Sequence, residues 1–251
     1  HVMQVDLTAH GISDYGTLRK RGFGTSSTLA AAELFFDGAP QQLARWPDVG
    51  ETGADATNGF AYTTGATSST TFSYSGTRPS RWSQAEEVWY HGLWKELWAD
   101  NHVRGTGIDT NSSTVTLAEA PVFGIASGQP YYAENLLEEI TTPGEWYLNR
   151  TTGVLYFWPP SDPSGHEIYI SMLESPLVRL NSVQQMTLRD ITFEMARGDL
   201  LAIANGDHNR VLNCTLRNAG NYAAKISGYR NGVSGCEIRD TGDGGVMLFP
   251  G

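Results

Sequence analysis

The feature that most constrains this chain is an internal repeat in its last third. The segments MTLRDITFEMARGDLLAI, NRVLNCTLRNAGNYAAKI and NGVSGCEIRDTGDGGVML superpose at a spacing of 22 to 23 residues. Leu188, Val211 and Val233 fall in one column, Ile191, Cys214 and Cys236 in a second, and Phe193, Leu216 and Ile238 in a third. Between the last two columns, Thr192, Thr215 and Glu237 share a polar position, which is the period-2 alternation of a strand with one buried face. Each repeat then passes through a Gly/Asn/Asp-rich turn into a second strand. This gives the columns Leu201, Ala224, Val246 and Ile203, Ile226, Leu248, with Leu177–Leu180 as the same strand one coil earlier.

A unit this short cannot hold a strand, a crossover helix and a returning strand, which need about 30 residues or more. Stacked β coils remain, and the sequence predicts a parallel β-helix in which each strand pairs with its equivalent one coil on, about 4.8 Å away. Cys214 and Cys236 then lie one above the other inside. They read either as small hydrophobes in a core ladder or as a disulfide, for which adjacent parallel strands offer poor geometry. The sequence reaches Gly251 part-way through a coil. The expectation is that further coils follow, or that a self-association partner covers the open end, because an uncapped solenoid leaves a sheet edge and apolar surface bare.

Residues 1–170 show no repeat but many strand and turn signals. AAELFFDGAPQQLARWP reads as strand, Asp-Gly turn, strand, and GEWYLNRTTGVLYFWPP as a second hairpin turning at Asn149 to Gly153. Residues 50–80 read as a long exposed loop with a short strand in it. EEVWYHGLWKELWADN is long enough for a helix, but its Val, Trp and Tyr content and an interrupting Gly favour distorted β structure. Composition agrees with an all-β chain: 28 Gly, 11 Pro and 11% aromatic residues accompany only 18% charged ones. A net charge of −10 leaves no broad basic surface for nucleic acid, and no apolar run is long enough for a membrane-spanning helix.

The stretches ELFFDGAPQQLARWP, PGEWYLNRTTGVLYFWPP and CEIRDTGDGGV resemble the bacterial right-handed parallel β-helix proteins of the pectin-lyase-like superfamily. The likeness is strongest to the group with β-helix glycoside hydrolases that act on plant cell-wall glycans. The resemblance implies an all-β, right-handed parallel β-helix with an inserted N-terminal β domain. Residues 1–24 would be the strand leading into the β-helix, 25–170 the Trp-rich inserted domain, and 171–251 the coils of an incomplete helix. It also implies a secreted or periplasmic protein with a polysaccharide or oligosaccharide as its partner.

Glycoside hydrolysis needs two carboxyl groups flanking the scissile bond. The Gly-rich turn after Arg239 offers Asp240 and Asp243 as acid and base. By register Asp243 sits beside Asn221, and Asp240 beside Asn218. Tyr222 and Asp199 fill the adjoining column, and Lys225 projects outward from the following strand, so Asn221, Tyr222 and Lys225 are candidate sugar contacts. A second reading makes the Asp/Asn column, Asp199 included, a Ca²⁺ site beside a Lys225 base for β-elimination. A third gives these residues nothing but turn-forming hydrogen bonds at the corners of the solenoid. No other cofactor is expected, and His91 with His102 lacks a third ligand at zinc spacing. Among the Trp residues, Trp82, beside Arg78 and Arg81 in a loop-like context, and Trp94 are the candidates for stacking on sugar rings, the rest being read as core or interdomain packing.

Overall fold

The computed structural model describes residues 1–26, 28–82 and 85–250. The chain is nearly all β and divides into two compact units. One comprises His1–Ser13, Arg19–Ser26 and Gln41–His166, the other Asp14–Leu18, Ser27–Pro40 and Glu167–Gly251.

The second unit is the predicted parallel solenoid. Its first sheet stacks Val178–Asn181, Leu201–Asp207, Tyr222–Tyr229 and Gly244–Leu248. The second sheet stacks Thr187–Arg189, Arg210–Leu212 and Gly232–Ser234, and the third stacks Thr192–Ala196, Thr215–Ala219 and Glu237–Thr241. Every pairing within these sheets is parallel, and the register follows the sequence columns: Leu188 pairs Val211, Val211 pairs Val233, Phe193 pairs Leu216 and Leu216 pairs Ile238. Val211, Cys214, Leu216, Ala224 and Ile226 form a buried core with Phe193, Leu201 and Ile203. Each large aliphatic side chain among them contributes about 1.5–3 kcal/mol by leaving water. Ile191, on the first coil, is exposed. Both cysteines are free, and the Cys214 N–H donates to Cys236 Sγ at 3.3 Å.

The coils turn at residues in the left-handed backbone region. Met195, Asn218 and Asp240 have φ of 63°, 58° and 53° at equivalent places in the third sheet, and Asp190, Asn213 and Gly235 repeat the device with φ of 57°, 51° and 64°. Asn and Asp tolerate that conformation better than most residues. Another corner is held from inside: Asn209 is fully buried, accepts from the Met186 N–H, donates to Val183 O at 2.8 Å and bonds Asn231 Oδ1 at 3.0 Å. Asn231 repeats the role on the next coil by donating to Gly206 O and Ser227 O. The Asp-Gly hairpin forms as expected, with Leu34–Phe36 pairing Ala39–Pro40 and positive φ at both turn residues, Asp37 and Gly38. Its tip docks on the solenoid through Asn218 Nδ2, which donates to Gly38 O at 2.8 Å. Buried Arg197 fixes the neighbouring segment, donating to Ala30 O and meeting Glu174 at 3.1 Å.

The first unit is built from antiparallel sheets. Trp89–Gly92 pairs with both Asn101–Asp109 and Pro130–Glu134 at the centre of a nine-stranded sheet, so the stretch around Trp89 is β structure. A Cβ at Gly92 would lie 2.7 Å from the Trp94 ring, which explains the glycine that interrupts that pattern. The predicted hairpin Glu145–Asn149 with Val154–Phe157 is present. Two expectations need correction. Residues 50–80 are not a loop with one strand: they supply Ala61–Tyr62, Gly65–Ala66 and Thr71–Ser73 to the large sheet, and Phe72 and Tyr74 lie in its core. Thr/Ser-rich spacing hid these short strands, whose burial is supplied by partners far along the chain. Met3–Asp6 pairs antiparallel with Val154–Phe157 rather than lying in a coil, because its partners come from the hairpin of the first unit.

Candidate functional site

The outward surface of the first solenoid sheet gathers part of the predicted ridge. Strand register places Lys225 between Ala202 and Met247, while Ala202 pairs in turn with Arg179. Ala224 and Ile226 on either side of Lys225 point into the core, so its side chain stands outside. Lys225 Nζ lies 3.0 Å from Asp199 Oδ2 and 4.9 Å from the centroid of the Tyr222 ring. The Tyr222 N–H donates to Asp199 Oδ1 at 3.2 Å, so a carboxylate on one coil orders the start of the strand on the next. Gly244 pairs with Tyr222, and a Cβ there would sit 2.9 Å from the ring; the glycine lets the aromatic side chain lie across the following coil. The result is a cation, an anion and an aromatic ring at fixed positions on a parallel sheet.

The other predicted residues fall out differently. Asn221 is buried, and the corner it occupies is held by main-chain bonds from Asn221 N to Gly198 O and from Asp243 N to Asn221 O. Asp243 is exposed, as is Asp240. Asp240 Oδ2 accepts from Arg239 at 2.6 Å, and Arg239 Nε also meets Glu237 at 3.0 Å. Asp240 thus combines a left-handed corner conformation with a guanidinium partner, features that suit a structural turn as well as a reactive group. Asp199, the candidate Ca²⁺ ligand, meets the Lys225 ammonium with one oxygen and accepts the Tyr222 N–H with the other, so a cation there would compete with Lys225. Among the described residues no group of three or more His, Cys, Asp or Glu could hold a metal ion.

Trp82 and Trp94 are also corrected as stacking residues. They are 2% and 1% exposed, packed in the core of the antiparallel unit, and their indole N–H groups are spent internally. Trp82 Nε1 donates to Glu139 Oε1 at 2.5 Å, and Trp94 Nε1 donates to Asn101 O at 2.8 Å. Buried Glu139 in turn receives Arg78, whose Nε reaches both carboxylate oxygens at 3.0 and 3.1 Å. Sequence proximity of Trp82 to Arg78 and Arg81 suggested a sugar site; the carboxylate that explains it lies 57 residues away.

A further cluster was legible only in its histidines. On the face of the large sheet opposite Tyr90, Val103 and Tyr131, His102 Nε2 lies 2.7 Å from Glu134 Oε1, and His91 stacks on Tyr132 at 4.9 Å. The Arg45 guanidinium lies 3.5 Å from the centroid of the same Tyr132 ring. Burial holds His91 below the ordinary histidine value. Burial pushes Glu134 up, but His102, His91 and Arg45 outweigh it and hold the carboxyl below the ordinary glutamate range. Elsewhere in this unit, a cleft of about 440 Å³ is bordered by Trp46, Glu51, Asp55, Arg78 and Arg81.

No family model matches the sequence, and no curated protein matches it. A solved structure described as a glycoside hydrolase matches the fold with a TM-score of 0.63 at 12% identity, covering 86% of this chain and 48% of its own. The chain therefore spans about half the length of that structure, and at this identity the likeness concerns the fold.

Proposed function

We propose that this chain works as part of a longer carbohydrate-active enzyme, a glycoside hydrolase built on the pectin-lyase-like pattern. In this reading it is exported from a bacterial cell and acts on plant or algal cell-wall polysaccharide. The observation that carries the reading is the outward cluster of Tyr222, Lys225 and Asp199 on a solenoid whose fold likeness is to a glycoside hydrolase. A pyranose chain crossing the coils would find the Tyr222 face for its C–H groups, with Lys225 and Asp199 to bond its hydroxyls. Asp240 and Asp243 are the candidate acid and base, one protonating the leaving oxygen while the other activates water. A lyase is supported less well, because the Lys225 ammonium is already paired with Asp199.

The second reading is a non-catalytic glycan-binding solenoid. It is favoured by the left-handed corner and the Arg239 partner of Asp240. Turnover and melting temperature of Asp240→Asn and Asp243→Asn in the full-length protein separate the two. A catalytic carboxyl loses orders of magnitude in kcat with the fold intact. A corner residue loses about 0.5–3 kcal/mol of stability and keeps its kcat.

A further inference from the structure

Three aromatic side chains of the antiparallel unit stand in solvent and touch one another. Trp98 is 64% exposed, and Phe23 and Phe123 are 44% and 40% exposed. The Phe23 and Trp98 centroids are 5.0 Å apart in an edge-to-face pair, Phe23 and Phe123 stack at 5.6 Å, and Trp98 and Phe123 meet at 5.2 Å. Leu97 and Val122 extend the same apolar surface and are also exposed. The remaining large aromatic side chains of this unit mostly lie in its core, so this grouping is not a general property of the sheet. Water-exposed aromatic clusters of this kind mark interaction sites.

The cluster is built rather than accidental, because one buried side chain fixes two of the loops that carry it. Asn101, 3% exposed, donates through Nδ2 to Phe23 O at 2.9 Å and accepts at Oδ1 from the Val122 N–H at 2.8 Å. The Phe23 N–H donates to Asp100 O at 2.9 Å, and Thr25 Oγ1 closes the loop onto Gly22 O at 2.6 Å. The Trp98 loop is closed by the Ala99 N–H bonding Glu96 O at 3.0 Å. Rings held in place before a ligand arrives lose little entropy on binding. Lys20, three residues before Phe23, is paired, its Nζ lying 2.9 Å from Glu119 Oε2.

We infer that Phe23, Trp98 and Phe123 form a binding site for a neutral polysaccharide chain, whose pyranose C–H groups pack on the exposed edges and faces of this tilted ring cluster. The choice of occupant rests on size and charge. Three rings and two aliphatic side chains offer on the order of a few hundred Å², short of the roughly 800 Å² per partner that a stable protein interface buries. The chain carries a net charge of −10, which opposes a second copy, an anionic membrane or nucleic acid. The site shares no residue with the solenoid ridge and would hold insoluble substrate near the enzyme. This inference rests on the carbohydrate-active reading, but its test separates the two.

The test uses the full-length protein with insoluble xylan and microcrystalline cellulose for retention, and a short soluble xylo-oligosaccharide for turnover. Trp98→Ala and Phe123→Ala are expected to bind the insoluble glycans about tenfold or more weakly, with turnover of the soluble substrate unchanged, and Trp98→Tyr to recover most of the retention. Asn101→Ala should lower retention without removing a ring. Wild-type-like retention in Trp98→Ala, or no retention of the wild type on either glycan, overturns the binding site whatever the enzyme's activity. Retention lost on Trp98→Ala in a protein with no turnover supports the binding site and removes the hydrolase reading. A change of oligomeric state in Trp98→Ala assigns the patch to a second copy and also overturns the inference.

Discussion

Lys225 Nζ lies 3.0 Å from Asp199 Oδ2, joining two successive coils on the outward face of the solenoid. Both groups remain partly open to water, so the pair itself contributes about 0–1 kcal/mol. Lys225→Met should therefore change the urea midpoint of the protein only slightly. If the ridge binds glycan, KM should rise severalfold. A large loss of stability with unaltered KM would mark the pair as structural.

Asn209 carries a heavier load. It is fully buried and its amide serves Val183, Met186 and Asn231. Asn209→Ala leaves the Met186 N–H without its acceptor and removes the amide donor to Val183 O and Asn231 Oδ1, which keep main-chain donors from Asp207 and residue 209, and the expected cost is about 1–3 kcal/mol. Asn209→Asp should cost at least as much despite its matching shape, because a carboxylate cannot donate to Val183 O. Urea unfolding followed by far-ultraviolet circular dichroism measures this; tryptophan fluorescence does not, since all seven Trp residues lie in the antiparallel unit.

The solenoid was legible because a repeat makes each coil a template for the next, and apolar columns in sequence become ladders in space. The asparagine corner was legible in principle: Asn209 and Asn231 each stand two residues before the column residues Val211 and Val233. The site was less legible. Lys225 facing outward followed from alternation, whereas its pairing with Asp199 depends on how coils are offset at a corner. In the antiparallel unit no period relates Trp82 to Glu139 or Phe23 to Trp98 and Phe123, so aromatic residues destined for the core and for the surface look alike in sequence.

Acid should weaken the antiparallel unit in two stages. Burial keeps His91 neutral below its ordinary value of 6.5, so the unfolded chain takes up that proton first. The stability His91 contributes is complete above that value and is lost as pH falls through it toward the folded-state value. Glu134, held below its ordinary 4.5 by His102 against the opposing effect of burial, contributes stability that is lost at lower pH still. His91→Phe, which keeps a ring on Tyr132, should flatten the change between about pH 7.5 and about pH 5.5. Urea midpoints by tryptophan fluorescence at the two pH values check it; an equal drop in both proteins would count against the assignment.

Cys214 and Cys236 are in-register interior thiols, the first buried and the second partly so. In the native protein Cys214 should resist a thiol reagent until unfolding, with Cys236 reacting first. Intact mass under non-reducing conditions should carry both thiol hydrogens. A mass lower by two hydrogens would reveal a disulfide and a different interior.

Whether the proposed enzyme hydrolyses neutral cell-wall glycans is decided by incubating the full-length protein with a panel of such polysaccharides and identifying the products. New reducing ends on saturated sugars are expected from at least one member of the panel. Unsaturated uronate products would contradict hydrolysis in favour of β-elimination, and tight binding with no product from any member would contradict catalysis altogether.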